Sequence, residues 1–228
     1  MPFLYVDQPA VMGALVDAAL ARQLRELFLS SCTPPAAAPL ARLLAEGSLA
    51  HHLIVYQSDP VAGAPLFDAA GEALIAQALR VNTTLTKLVI CQAFLGALEL
   101  VGALVGHPSL CELDFTRADV ATDGVALGAA LGALIAADAP ALHTLDCTCN
   151  NVGDAGLTPI VQALALNRHL HTLKIVVNDM SDAFAREQLL PAVRANTTLR
   201  ALECCSGGRY WLAAVEAEEL VRRRGQHD

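Results

Sequence analysis

Cysteine and histidine residues, which supply the sulfur and nitrogen ligands of zinc sites, gather at three points of this chain. The groups are Cys147 and Cys149 with His143, the pair His169 and His171, and the pair Cys204 and Cys205. None of them contains a Cys-x-x-Cys spacing. In a strand we expect Cys147 to face the core and Cys149 to face outward, and Cys204 and Cys205 to divide in the same way. The sequence therefore predicts no metal site and no cofactor.

Other catalytic chemistry leaves no motif in the sequence either. We find no glycine-rich phosphate loop, no nucleophile elbow and no paired catalytic carboxylates of the kind that a cleft would bring together. The interpretation favoured by the sequence is a protein that is not an enzyme.

Charge and composition narrow the class of partner. The 228 residues carry a formal net charge of −8, which argues against nucleic acid and favours a basic protein partner. The longest apolar run, residues 125–137, ends at Asp138 before it reaches the roughly 18 residues of a membrane span. The N-terminus has no basic stretch ahead of an apolar one, and seven cysteines cannot all pair. We expect a cytoplasmic protein with reduced thiols and no membrane contact.

A hexad of the form Leu-x-x-Leu-x-Leu recurs along the chain. It starts at Leu24, Leu85, Leu110, Leu142, Leu170 and Leu199, with a weaker copy at Ala50, so that successive starts are 25 to 35 residues apart. The phrase Asn-Thr-Thr-Leu at 82–85 and again at 196–199 belongs to the same pattern. This periodicity is typical of a repeat protein.

The segments between the hexads have apolar residues at three- and four-residue intervals, which indicates helices. Examples are residues 71–82, 95–106, 156–167 and 186–196. Each unit is therefore predicted as strand, turn, helix and turn. Parallel strands with helical crossovers bury their apolar faces only when neighbouring units stack into one core.

The stretch from Leu142 to Asn178, LHTLDCTCNNVGDAGLTPIVQALALNRHLHTLKIVVN, resembles the leucine-rich repeats, specifically the long repeats of the ribonuclease-inhibitor type. The resemblance covers roughly residues 24–207. It implies an α/β solenoid, or horseshoe, of about seven strand-helix repeats, with a parallel sheet on the concave face and helices on the convex face. It also implies that the ninth residue of each repeat bonds the turn backbone, a position taken by Cys32, Asn150 and Asn178, with Ser58 a further candidate. Ala93, Ala118 and Gly207 depart from the pattern.

We interpret residues 1–228 as a single domain with a cap at each end. An N-terminal cap helix is assigned to residues 1–23, repeats to 24–207 and a C-terminal cap helix to 208–228. The buried face of the second cap helix is predicted to carry Trp211, Leu212, Val215 and Leu220. Residues 58–72 form a proline- and glycine-containing excursion, either a functional loop or a spacer.

Strand alternation predicts which side chains line the concave face. Phe28, Ile54, Tyr56 and Val89 would form an apolar patch, and Glu112, Asp114, Asp146 and Lys174 a charged one. The apolar patch is either a docking site or a surface covered by residues 1–6 or by a second copy. The charged patch either contacts a basic partner or is neutralised locally by Lys174 and Arg117. His143 and His171 are expected in one row, where their rings could stack.

The function that these features favour is non-catalytic protein binding on the concave face, as an interaction module or scaffold. One branch of the family resembled here activates a Ran-type GTPase, so a GTPase-activating regulator is an alternative. A bacterial effector that acts on host proteins is another, and a thiol or metal enzyme ranks last. The identity of the partner, the source and the oligomeric state do not follow from the sequence.

The repeat frame predicts that Leu88, Leu113, Leu145, Leu173 and Leu202 are buried in one stacked column. Replacement of Leu145 by alanine should therefore lower the free energy of unfolding by roughly 2–5 kcal/mol, as core truncations do. Chemical denaturation would report this as an earlier midpoint. A Leu145→Ala midpoint equal to that of the unaltered protein would contradict the frame.

Overall fold

The computed structural model describes residues 3–6, 26–30, 37–46, 51–56, 67–91, 97–117, 123–205 and 211–226. Within these ranges the strands form one eight-stranded sheet whose spatial order follows chain order, and every neighbouring pair is parallel. The strands are β1 (Phe3–Val6), β2 (Glu26–Ser30), β3 (His52–Tyr56), β4 (Lys87–Cys91), β5 (Glu112–Asp114), β6 (Thr144–Asp146), β7 (Thr172–Lys174) and β8 (Ala201–Glu203).

Helices connect the strands and pack beside one another in chain order. They are α1 (Ala37–Ala45), α2 (Ala69–Val81), α3 (Ala97–Ala103), α4 (Gly124–Ala136), α5 (Gly153–Leu166), α6 (Asp182–Phe184), a π-helical stretch (Ala185–Leu189), α7 (Leu190–Ala195) and α8 (Leu212–Gly225). The π-helical stretch precedes Pro191, which has no N–H to continue the regular hydrogen-bond pattern. The α/β repeat architecture predicted from the sequence is confirmed.

The register of the sheet agrees with the alignment of the hexads. The fourth hexad position forms one column of paired leucines, and each of them is at most 7% exposed: Leu27, Leu53, Leu88, Leu113, Leu145, Leu173 and Leu202. The sixth position is buried in the same way by Leu29, Val55, Ile90, Phe115, Cys147, Ile175 and Cys204. The core therefore lies between the sheet and the helix layer.

Strand β1 corrects the expectation of a cap helix over the whole of residues 1–23. Phe3–Val6 pairs in parallel with β2 and adds an eighth strand to the seven predicted. The segment has only four residues and no leucine hexad, so the period that reveals the other strands does not reveal this one. The helix predicted at 9–23 lies outside the described residues.

The Asn-Thr-Thr-Leu motif occurs twice, each time in the turn that connects a helix to the following strand. The Asn82 side-chain oxygen accepts hydrogen bonds from the N–H groups of Thr84 (3.0 Å) and Leu85 (2.8 Å), and its amide donates to the Leu44 carbonyl of helix α1 (2.7 Å). Asn196 does the same with Thr198 and Leu199, and donates to the Leu164 carbonyl of helix α5. One side chain thus joins two repeats, which explains why the chain uses the phrase twice.

The other turn, after each strand, depends on buried asparagines. Asn150 and Asn178 are 3% and 2% exposed. Asn150 donates to the carbonyls of Cys147 and Phe115 (2.8 and 2.7 Å), and its N–H donates to the Asn178 side-chain oxygen (3.0 Å). These bonds satisfy backbone groups that no strand pairs. Cys32 and Ser58 lie outside the described residues.

The second residue after each hexad, which is the eighth counted from the first residue of the hexad, is not in the strand conformation in three repeats. Arg117, Cys149 and Val177 all have positive φ values, of 51°, 62° and 54°. The alternation used in the sequence analysis therefore stops before this position, and the left-handed backbone turns the chain toward the next helix. The eighth-position row does not continue the face formed by the third, fifth and seventh positions.

Helix α8 caps the last repeat through small side chains. Ala213, Ala214, Ala217 and Val221 are its buried residues, whereas Leu212 is 87% exposed and Val215 is 39% exposed. The predicted buried face was wrong for Leu212 and Val215, because alanines let the helix approach more closely than large side chains would. Trp211 and Leu220 do pack partly against the core. None of the described helices has the length and apolar character that a membrane span needs.

Helices α4 and α5 contact each other through their backbones. A Cβ atom added at Gly128 would overlap the backbone of Gly156, whereas one added at Gly102 in helix α3 would meet nothing within 4 Å. A Cβ atom added at Gly132 would likewise overlap Pro159 of α5, and one added at Gly124 would overlap the backbone of Asn151, just before α5. Glycine is therefore required along this seam and not in α3.

We expect Gly128→Ala to lower the free energy of unfolding by about 1–3 kcal/mol, since an added methyl group must push the two helices apart. Gly102→Ala is the matched control and should be neutral or stabilising by up to about 1 kcal/mol, because alanine restricts the unfolded chain. Urea denaturation of both variants measures the difference. Equal effects of the two substitutions would contradict the backbone contact.

Candidate functional site: the open face of the sheet

The described helices all pack on one face of the sheet, and we call the other face the open face. It carries the side chains at the third and fifth positions of each hexad and at the seventh position, which is the residue directly after the hexad. Most of these side chains are half-buried. The fifth-position row pairs in the order Phe28, Ile54, Val89, Asp114, Asp146, Lys174 and Glu203. All eight residues predicted for partner binding lie on this face.

The N-terminal half of the open face is apolar. Phe28, Ile54 and Val89 are direct neighbours on three successive strands. Tyr56 pairs with Cys91 on β4 and is 36% exposed. The register of β1 pairs the backbone of Tyr5 with that of Phe28.

The C-terminal half carries ion pairs. Lys87 Nζ lies 2.7 Å from Glu112 Oε1 across β4 and β5. Lys174 Nζ lies 3.1 Å from Glu203 Oε1 and 4.0 Å from Asp146 Oδ2. Lys174 therefore intervenes among the acidic groups as expected. Lys87 and Glu203 are the partners that the sequence analysis had not selected, although they share the rows of the predicted residues.

Arg117 does not take the role predicted for it. Its backbone is in the left-handed region and its side chain is exposed. Among the described residues it forms no ion pair with Asp114 or Asp146. Asp114 and Asp146 are paired residues on neighbouring strands, and of these two carboxylates only that of Asp146 forms an ion pair with Lys174.

Asp114 is held by its own turn. Its Oδ1 accepts hydrogen bonds from Thr116 N (3.1 Å) and Thr116 Oγ1 (2.7 Å). Burial raises the pKa of Asp114, the Thr116 hydrogen bonds oppose that rise, and the negative charges of Asp146 and Glu112 add to it. A cation brought to this carboxylate would relieve the repulsion.

Cys91 lies where the apolar and charged halves meet. Burial first, and then the negative charges of Asp114 and Asp146, raise the pKa of the Cys91 thiol to about 11. The thiol is therefore protonated near neutral pH, and it is not an activated nucleophile. The part of the pKa rise that comes from Asp114 and Asp146 links this thiol to the acidic half of the open face.

The residues with metal-ligand chemistry are distributed over several places. The His143 and His171 rings stack as predicted, with centroids 4.9 Å apart and planes 9° apart. Cys147 is buried and Cys149 is half-buried. In the described part of the chain the six cysteines are all free thiols, and Cys204 and Cys205 lie beside Glu218. Cys204 is buried and Cys205 is half-buried, as predicted, and their sulfur atoms nevertheless lie within 4.8 Å of each other.

The predicted excursion over residues 58–72 is described only at its end. Phe67 is fully buried, and Asp68 is the N-cap of helix α2, accepting a hydrogen bond from Gly71 N (2.7 Å). Residues 69–72 are thus the first turn of a helix. Residues 58–66 and Ala93 lie outside the described residues.

No protein-family model matches the sequence, and no curated protein matches it. Among solved structures, the chain is similar to a tropomodulin C-terminal domain from Caenorhabditis elegans, with a TM-score of 0.45 and 11% sequence identity. The similarity covers 93% of this chain and 96% of that one. No structural or functional detail of this chain follows from so distant a likeness.

The electrostatics of the open face can be tested through Cys91. We expect its alkylation rate to be low at pH 8 and to rise up to about pH 11, where the thiol ionises. Asp114→Asn should raise the rate at pH 8, by up to about tenfold per pKa unit, because removing the charge lowers the thiol pKa. Peptide-level mass spectrometry measures the rate at this one cysteine.

The matched control is Glu216→Gln, which removes a carboxylate from helix α8 and should leave the Cys91 rate unchanged. An alkylation profile that is the same in the unaltered protein and in Asp114→Asn would contradict the coupling.

Proposed function

We propose that the chain is a non-catalytic protein-interaction module, an interaction scaffold of the ribonuclease-inhibitor-like, horseshoe type that binds a basic protein partner on the concave face of its sheet. The observation that carries the proposal is the open face itself. A row of neighbouring side chains changes from apolar to acidic along its length and leaves both kinds of surface accessible. Extended repeat surfaces bind by many such contacts added together.

The charge of the open face supports a basic partner. The third and fifth rows hold five carboxylates against two lysines, a difference of three negative charges. The acidic residues are Glu26, Glu112, Asp114, Asp146 and Glu203, and the lysines are Lys87 and Lys174. Burial, and after it the negative charges of Asp146 and Glu112, raise the pKa of Asp114. A lysine or arginine of the partner would compensate these negative charges.

The apolar half supplies the anchors of the proposed site. Aromatic side chains in partly enclosed positions carry most of the affinity of protein interfaces, whereas charged residues mainly set the rate of encounter. Phe28, Ile54, Tyr56 and Val89 are the proposed anchors, and Glu112, Asp114, Asp146 and Lys174 the residues that orient the partner. The two halves should therefore contribute to binding in different ways.

The alternatives are a regulator of a Ran-type GTPase, an effector delivered into a host cell and, last, an enzyme that uses the cysteine or histidine residues. We propose a cytoplasmic location for the interaction module, and the GTPase regulator would share that location. The raised pKa values of Cys91 and Cys205 weigh against a reactive thiol. An assay of GTP hydrolysis by a Ran-type GTPase, with and without the purified chain, distinguishes the GTPase regulator from the interaction module.

The proposal is tested by cross-linking the full chain in the cell, identifying its partner by mass spectrometry and measuring binding by surface plasmon resonance over a salt series. Tyr56→Ala should weaken binding at every ionic strength by about 1 kcal/mol or more. Asp114→Asn should slow association mainly at low salt, where charges act over longer distances.

Leu74→Ala is the matched control, since Leu74 is 44% exposed on helix α2, on the opposite side of the molecule from the open face. It should leave both affinity and association rate unchanged. If Leu74→Ala weakens binding while Tyr56→Ala and Asp114→Asn do not, the partner binds the helical side and the proposed site is wrong.

A further inference from the structure

Two thiols and one carboxylate converge where the last repeat meets helix α8. The sulfur atoms of Cys204 and Cys205 and a carboxylate oxygen of Glu218 all lie within 4.8 Å of one another. Cys204 is buried, while Cys205 and Glu218 are half-buried. Strand β8 ends at Glu203, directly before the two cysteines.

Glu218 is held in position by the backbone of the same two residues. Its Oε1 accepts hydrogen bonds from Cys204 N (2.7 Å) and Cys205 N (2.9 Å). These two backbone hydrogen bonds hold the carboxylate beside the thiols.

The two thiols and the carboxylate of this cluster are groups that can bind a cation. Burial first, and then the negative charge of Glu218, raise the pKa of Cys205 to about 11 and the pKa of Cys204 still further. Within the described ranges, Glu218 forms no ion pair, and the nearby Arg222 is paired with Glu219 (2.8 Å). A metal cation would replace the protons of both thiols and neutralise the carboxylate.

We propose that Cys204, Cys205 and Glu218 form a site for a thiophilic divalent cation of the zinc class. On binding, the two S–H bonds break, two protons leave to solvent, two metal–sulfur bonds form, and Glu218 supplies one oxygen. Two sulfur ligands favour Zn²⁺ or Cd²⁺ over Mg²⁺ and Ca²⁺, which prefer oxygen. No oxidation or reduction is involved.

A cavity of about 210 Å³ lies beside one of the three proposed ligands, Cys204, and is also lined by Asp179, Met180 and Trp211. Tetrahedral zinc takes four ligands, so a water molecule would complete the coordination by the three residues. Trp211 is the single tryptophan of the chain, and its fluorescence therefore reports events in this cavity.

The bound cation would join helix α8 to the end of strand β8, since Glu218 belongs to α8 and both cysteines follow β8. The site would be structural and independent of the partner binding proposed above. Its occupation should raise the melting temperature of the chain, because the metal binds the folded state.

The test is titration of the purified, reduced, metal-free full chain with Cd²⁺, followed by its thiolate-to-metal charge-transfer absorbance and by proton release at pH 7.5. We expect one equivalent of Cd²⁺, release of two protons, a change in Trp211 fluorescence and a higher melting temperature. Mg²⁺ should produce none of these changes. Zn²⁺ should compete with Cd²⁺.

Variants locate the site. Cys205→Ser should abolish the absorbance band or weaken binding at least about 100-fold, and Glu218→Gln, which still accepts the two backbone N–H bonds, should weaken it about tenfold or more. Cys111→Ser is the matched control, since Cys111 is a half-buried thiol outside the cluster, and should bind as the unaltered protein does.

A measurement on the unaltered protein covers the case in which a variant fails to fold. Bound Cd²⁺ should protect Cys204 and Cys205, and not Cys111 or Cys149, from alkylation, as read by peptide mass spectrometry. The proposal is overturned if no charge-transfer band forms, if the band persists unchanged in folded Cys205→Ser, or if the protected cysteines lie elsewhere.

Discussion

Each strand of this sheet needs the next repeat to satisfy its backbone, and the rest of the structure depends on that need. After the strands end, the N–H groups of Phe115, Cys147 and Ile175 donate to carbonyl oxygens of the following repeat, at 2.7 to 2.9 Å. A buried N–H group without a partner would cost about 1–3 kcal/mol. The chain therefore cannot stop at an arbitrary repeat. At β8 the equivalent donor, Cys204 N, finds the Glu218 carboxylate instead.

The turns after the helices also contain backbone groups that need hydrogen-bond partners, and the repeats differ in the residue that supplies them. The side chains of Asn82, Asn167 and Asn196 each accept hydrogen bonds from two N–H groups in the turn before the next strand and donate one to a carbonyl of a preceding helix. His107 takes the position in the fourth copy: its Nδ1 accepts from Ser109 and Leu110, but its Nε2 is buried without a partner among the described residues. Burial lowers the pKa of His107, so the ring stays neutral and can keep accepting. Histidine therefore accepts the two backbone hydrogen bonds as asparagine does, but in the described part of the chain it does not donate one to the preceding helix.

Sequence reasoning succeeded where one residue type repeats with a fixed period. The leucine column and the open-face rows follow from period-two alternation and from the hexad alignment, and the sheet has the predicted register. Strand β1 was missed because four residues offer no period, and the buried face of α8 because small alanines, not large apolar side chains, make its contact. The proximity of Cys204 to Cys205 required knowing that β8 ends at Glu203. The pairing of Lys174 with Glu203 required side-chain geometry, although both residues stand in one predicted row.

The order of residues along the open face restricts what can bind across all of it. The seven strands β2 to β8, at a spacing of about 4.8 Å, span about 29 Å, and their fifth-position row is apolar from Phe28 to Val89 and charged from Asp114 to Glu203. A partner helix rises about 1.5 Å per residue, so about 19 residues would be needed to follow this row. An ordinary amphipathic helix separates its apolar and charged residues around its circumference. A helix that followed this row would instead separate them along its length, with its apolar residues over β2 to β4 and its basic residues over β5 to β8.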